Sequence, residues 1–190
     1  MIEQLREEHL LWYLNRGAGI VLVAVLTVAT ALGVLATSRS ASSAWPRFAT
    51  QALHRNLSLL ATVLVVVHAG TAVLDTYVSA YVTITPLDAV VPFVSGYERV
   101  WLGIGVLASD LMIAVVVTSL LRHRMSHGAW RLVHLASYAA WALGVLHGVL
   151  VGTDESTTWA LAVYAGSVAV VVVAGVLRVS YLARERRVGW

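Results

Sequence analysis

Five apolar runs, separated by shorter polar links, constrain this chain more than any other feature. They cover roughly residues 17–37, 50–74, 100–121, 130–151 and 158–182. About twenty mostly apolar residues carry an α-helix across the hydrocarbon of a bilayer, where only helices and closed barrels satisfy the backbone. With 59% hydrophobic and 12% charged residues, the chain has too little polar surface to hide these runs in a water-soluble core. The expectation is an all-α integral membrane protein, one domain over residues 1–190, built as a bundle of five transmembrane helices.

Arginine placement gives a direction. All thirteen basic residues are arginine, and the high isoelectric point comes from arginines beside the spans, so the expected partner is a lipid bilayer and not nucleic acid. Arg39, Arg47 and Arg55 flank the first link, Arg122, Arg124 and Arg131 the third, and Arg178, Arg184, Arg186 and Arg187 the C-terminal end. Five spans put all of these on one side and leave only Arg6, Arg16 and Arg99 on the other. The positive-inside rule then predicts a multi-pass protein of the cell membrane with its N-terminus outside and its C-terminus in the cytoplasm.

The ends and links fit that reading. "MIEQLREEHLLWYLNR" opens on acids and has no small-residue cleavage site, so it reads as an amphipathic lead-in carrying a solvated His9, not as a signal peptide. The apolar link over residues 75–99 contains Pro86, Asp88 and Pro92, which argue against a sixth straight span. It reads as an interfacial or re-entrant lid on the outer face. The absence of cysteine excludes thiolate zinc sites, iron–sulfur clusters and the covalent attachment of c-type haem.

Histidine is the unexpected residue in the spans, because ionisable groups are costly in lipid and mark function. The second span carries His54 and His68, and the fourth carries His134 and His147. Both spans run from cytoplasm outward, so His54 and His134 share an inner level and His68 and His147 an outer one. Fourteen residues of helix rise about 21 Å and thirteen about 19.5 Å, so the levels nearly coincide. One histidine from each of two parallel helices, at two depths, is the ligand set for two stacked bis-histidine haems. Zinc fits poorly, since each level offers two ligands only. The bland alternative is that such histidines pack or hydrogen-bond between helices. Azimuth agrees for His54 and His68, which an ideal helix turns to within about 40° of one face, whereas His134 and His147 lie about 140° apart. That offset calls for a bend or local rewinding, with Gly144 a plausible place, or else for haem planes that differ in rotation between the levels.

At these histidines the chain resembles the ferric reductase-like transmembrane domain family. That family includes ferric reductases, the NADPH oxidase membrane domain and the haem-binding membrane subunit of the bacterial methionine sulfoxide reductase system. The oxidases carry H-x13-H on one helix and H-x12-H on a later parallel one, the patterns of His54/His68 and His134/His147. "LHRNLSLL", "WRLVHLASYAAWALGVLHG" and "GTD" at residues 152–154 look like stand-alone bacterial members, and the resemblance spans about residues 12–182. It implies two non-covalent b-type haems. Unlike the oxidases, this sequence lacks an extra leading helix and a C-terminal flavin and nicotinamide domain, so no flavin is expected on this chain.

The expected activity is transmembrane electron transfer by a di-haem b-type cytochrome, from a cytoplasmic-side donor to an acceptor at the outer face. The donor is expected to be a separate flavoprotein, an FMN-binding protein or quinol, and the acceptor ferric iron, oxygen or a redox protein. The alternatives are a quinone-linked haem subunit of a partner redox enzyme and, in another class, a haem-free membrane scaffold or transporter.

Several other residues carry paired readings. Arg55 and Arg131 adjoin the inner ligands and either bind haem propionates or simply follow the positive-inside rule. Trp141 either fills the space between the haems or faces lipid or another helix. Asp110, midway along the third span, either orients an imidazole, takes part in redox-linked proton movement, or bonds to a neighbouring helix. His123 and His127 are spaced for a metal on a helix, but Gly128 and the arginines favour a solvated turn. Tyr77, Tyr81, Asp88 and Tyr97 frame a pocket above the outer level. Asp154 and Glu155 either attract a cation or cap the fifth helix.

Overall fold

The computed structural model describes residues 9–36, 46–75, 83–151, 154 and 157–188. Five α-helices are formed: α1 Leu10–Ala36, α2 Arg47–Leu74, α3 Arg99–Leu120, α4 His127–Val151 and α5 Thr158–Val188, with a 3-10 turn at Arg122–Arg124 between α3 and α4. Each of the five is long and apolar enough to cross a membrane. The described residues outside them form turns and bends, so the architecture is all-α.

The boundaries have local causes. α1 starts at Leu10, inside what the sequence presents as a lead-in, because nothing between Trp12 and Gly17 breaks a helix. Its one amide there is satisfied: the Asn15 carboxamide donates to the His68 carbonyl at 2.6 Å and to Thr71 Oγ1 at 3.3 Å. α2 begins directly behind Pro46, whose extended backbone (φ −73°, ψ 151°) suits the position before a helix. α3 follows Glu98, which adopts a left-handed conformation at φ 39°. α4 is capped by Ser126, whose Oγ accepts the Ala129 N–H at 3.2 Å. His123 therefore lies in the 3-10 turn and His127 opens α4; both are exposed and share no helix face, as expected of a solvated turn.

Small residues set the packing. Ala29, Thr30, Ala61, Ala140, Ala160 and Ala174 are all buried, while Phe48 and Leu132 are each 73% exposed and Val179 66%. Inside-out hydrophobicity of this kind suits a lipid surround, where helices associate through close contact of small side chains. α1 packs chiefly along α2 and also touches α5; α3 packs chiefly along α4; α2 and α4 scarcely touch each other. The two histidine-bearing helices thus face one another across a gap instead of closing on it.

The link between α2 and α3 lies at one end of that gap. Asp88, buried, accepts the Thr85 N–H at 2.8 Å and the Thr85 hydroxyl at 2.7 Å, which ties a compact turn. Phe93, at φ 65°, rests on Gly103 of α3, and Arg99 Nε donates to its carbonyl at 2.6 Å. No side chain larger than hydrogen fits at Gly103 beneath that ring. Ile84, Asp88, Ala89 and Tyr97 line the cavity described below, so the described part of the link covers the gap.

Candidate site between α2 and α4

Two histidine pairs face each other across the gap. The His54 and His134 rings stand with centroids 6.1 Å apart and planes at 69°. The His68 and His147 rings stand 6.4 Å apart at 80°. The first pair lies toward the arginine-rich end of the bundle and the second toward the link. The sequence placed one residue from each helix at each level, and the structure brings together those two pairs.

Each histidine-bearing helix is held from behind by its neighbour, and three of the four seats share one design. His54 Nδ1–H donates to the Ala29 carbonyl at 2.8 Å. His68 Nδ1–H donates to the Asn15 carbonyl at 3.0 Å. His147 Nδ1–H donates to the Trp101 carbonyl at 2.9 Å. One turn beyond each carbonyl, at the fourth residue on, stands a glycine: Gly33, Gly19 and Gly105. A Cβ there would lie 3.2 Å from His54 Cε1, 3.0 Å from His68 Cε1 and 2.5 Å from His147 Nδ1. The missing side chain lets the ring reach main chain. A carbonyl only accepts, so it fixes the proton on Nδ1 and leaves Nε2 bare, the form in which imidazole binds a metal.

His134 is held differently. Its Nδ1 lies 3.4 Å from Ser119 Oγ, a hydroxyl that also receives the Trp130 indole N–H at 3.4 Å. Trp130 stacks on His134 with centroids 5.0 Å apart and planes at 26°, and the Arg122 guanidinium lies 4.6 Å over the same indole. α4 is continuous α-helix through Gly144, so the helix is not interrupted there. Both α4 imidazoles are anchored on α3, through Ser119 and Trp101.

A cavity of about 240 Å³ occupies the link end of the gap, with both His68 and His147 in its wall. Gly19, Gly105, Met112, Trp141 and Tyr164 complete much of the lining, which is mainly apolar. Asp88 and Tyr97 line it as the sequence proposed, whereas Tyr77 and Tyr81 lie outside the described residues. At its rim Arg16 forms an ion pair with Asp154. The Arg16 guanidinium also lies 5.0 Å from the Trp12 ring and 5.8 Å from that of Trp159. Asp154 therefore clamps α1 to the start of α5, where its own carbonyl accepts the Thr157 N–H at 2.8 Å. Glu155 lies outside the described residues.

The remaining candidates divide. Trp141 points inward, its N–H donating to Thr27 Oγ1 on α1 at 3.0 Å, and it lines the cavity between the two levels. Arg55 and Arg131 are exposed beside the His54–His134 level. Asp110 orients none of the four imidazoles, since their Nδ1 atoms meet Ala29, Asn15, Trp101 and Ser119. Among the described residues no three histidine, aspartate or glutamate side chains gather to hold a bare ion, so each level offers a pair.

Sequence reasoning missed the seats, although α1 carries a signal for them. Gly19 and Gly33 are fourteen residues apart, the spacing of His54 and His68 on the antiparallel neighbour. A matched interval on two adjacent spans is what such a pair of contacts requires. Ser119 and Trp130 had no comparable pattern.

Residues 10–154 match the model of a family described as a domain of unknown function (DUF8596), and the chain belongs to that family. No curated protein and no solved structure matches it.

Proposed function

We propose that this DUF8596 member is a transmembrane di-haem b-type cytochrome, similar to the ferric reductase-like transmembrane domain. His54 and His134 would hold the inner haem iron and His68 and His147 the outer one. The observation that carries the reading is the spacing within the pairs. Metal–imidazole bonds of about 2.0–2.1 Å, plus roughly 1.1 Å from nitrogen to ring centre on each side, set two opposed rings about 6.3 Å apart. The pairs stand at 6.1 and 6.4 Å. The donor set agrees: main-chain carbonyls hold three rings with Nε2 free, and the cavity at the outer pair is lined mainly by apolar groups.

Two haems held by these four histidines would supply one-electron chemistry at iron, and ligation by a pair of imidazoles would favour outer-sphere transfer. The chain's own residues do the rest. Four imidazoles fix the two levels. The hydrogen bonds to the Ala29, Asn15 and Trp101 carbonyls would set the orientation and basicity of three of them. Arg55 and Arg131, exposed beside the inner pair, would pair with the propionates of the inner haem. The link from Ile84 to Tyr97 shields the outer level from water. With the arginine-rich end in the cytoplasm, electrons pass from a separate flavoprotein, FMN-binding protein or quinol to ferric iron, oxygen or a redox protein outside.

The test is a reduced-minus-oxidised absorption spectrum of the purified protein. Low-spin b-type bands are expected, weakened in His68→Ala or His147→Ala. A colourless, folded protein would favour a haem-free scaffold or transporter. Reduction by quinol but not by a flavin donor in proteoliposomes would favour a quinone-linked subunit.

A further inference from the structure

We propose that Ser119 and Trp130 make the inner level the higher in potential of the two, by holding His134 on a hydroxyl where the other three imidazoles rest on main-chain carbonyls. The inference rests on the haem reading above and concerns what these two residues do to it.

A carbonyl that accepts the Nδ1–H of an axial imidazole draws the proton away and makes Nε2 a stronger donor. A stronger donor stabilises ferric iron over ferrous and lowers the potential. The outer level has two such bonds, at 3.0 Å from His68 and 2.9 Å from His147. The inner level has one, at 2.8 Å from His54. Its other ring meets Ser119 Oγ at 3.4 Å, and that oxygen already receives the Trp130 N–H. A distant, shared hydroxyl pulls less on the proton, and since it both donates and accepts it does not fix the tautomer as a carbonyl does.

Charge acts in the same direction. Arg122 lies 4.6 Å over the indole that stacks on His134. At the outer level, Arg16 is neutralised by Asp154. Arg122 meets no carboxylate among the described residues, and a cation on that side of His134 favours the electron-richer ferrous state. Both effects place the resting electron on the inner iron. Outward transfer then takes one electron from ferrous inner iron to ferric outer iron against that order, with no proton involved. It is driven by the acceptor or by a membrane potential negative inside.

Ser119 and Trp130 are thus positioning residues, and a redox titration followed by haem absorption tests them. Wild-type protein should give two one-electron waves, and His147→Ala should retain the higher. Ser119→Asn, which offers His134 an amide carbonyl, should move the higher wave toward the lower and leave the lower in place. Ser119→Thr keeps the hydroxyl and should move neither. Trp130→Phe keeps the stack but frees the Ser119 oxygen, and should also lower the higher wave; it serves if Ser119→Asn binds no haem. The inference is overturned if the wave kept in His147→Ala is the lower one. It is equally overturned if the wild-type waves coincide, or if these variants move only the lower wave or none. A protein without haem waves would instead overturn the cytochrome reading.

Discussion

Gly19 and His68 meet where α1 lies along α2: the Asn15 carbonyl accepts the ring's Nδ1–H at 3.0 Å, and a Cβ on Gly19 would lie 3.0 Å from Cε1. Glycine is required there by closeness, since the ring reaches main chain only where no side chain intervenes. The same contact recurs at Gly33 with His54 and at Gly105 with His147, so the seats can be ranked by how tightly each is closed.

Gly105→Ala should be the most damaging of the three substitutions, because its Cβ would fall 2.5 Å from His147 Nδ1. Gly33→Ala, at 3.2 Å from His54 Cε1, should be the mildest. Overpacking of this kind costs about 1–3 kcal/mol. Haem retained per chain after purification, measured for each variant, should fall in the order Gly33, Gly19, Gly105. Equal retention in all three would contradict the steric account.

Trp141 and Thr27 bridge α4 to α1 through one hydrogen bond of 3.0 Å. Trp141→Phe and Thr27→Val should each lower stability by about 0.5–1.5 kcal/mol, and the double variant should cost less than the sum. Thermal unfolding in detergent reads the coupling. Strict additivity would mean that the bond contributes nothing.

The five spans were legible because lipid imposes length and apolarity on each, and the histidine levels because helical rise converts spacing directly into depth. Rotation was not legible. The 140° offset of His134 and His147 on an ideal helix left a bend, a rewinding or a different ring orientation at each level equally open, and both rings nevertheless face their α2 partners along one continuous helix. The apolar run pointed to a start near residue 17, yet α1 begins at Leu10, because Asn15 and Arg16 find partners elsewhere in the bundle at His68, Thr71 and Asp154. Seats such as Trp101 and Ala29 act through backbone carbonyls, which every residue has, so no side-chain pattern announces them.

Asp154 and Arg16 join α1 to the start of α5 at the cavity rim. Asp154 is buried and Arg16 half-buried, so the pair falls between an exposed and a buried ion pair. Asp154→Asn leaves the guanidinium without its counter-charge and should cost about 1–3 kcal/mol. The double variant Arg16→Gln/Asp154→Asn should recover part of that loss. No recovery in thermal unfolding would show that the pair is not the source of the effect.

Asp110 occupies the middle of α3 and touches none of the four imidazole nitrogens. Asp110→Asn should therefore leave the b-type spectrum and the haem content unchanged. A shifted or bleached spectrum would place the carboxylate in the ligand network after all.

The central claim is two bis-histidine haems between α2 and α4, and haem stoichiometry tests it most directly. Pyridine haemochrome absorbance against protein concentration should give a value close to two b-type haems per chain, falling to about one in His68→Ala, where only the outer pair is lost. One haem per chain in the unaltered protein, or none, would contradict the two-level account.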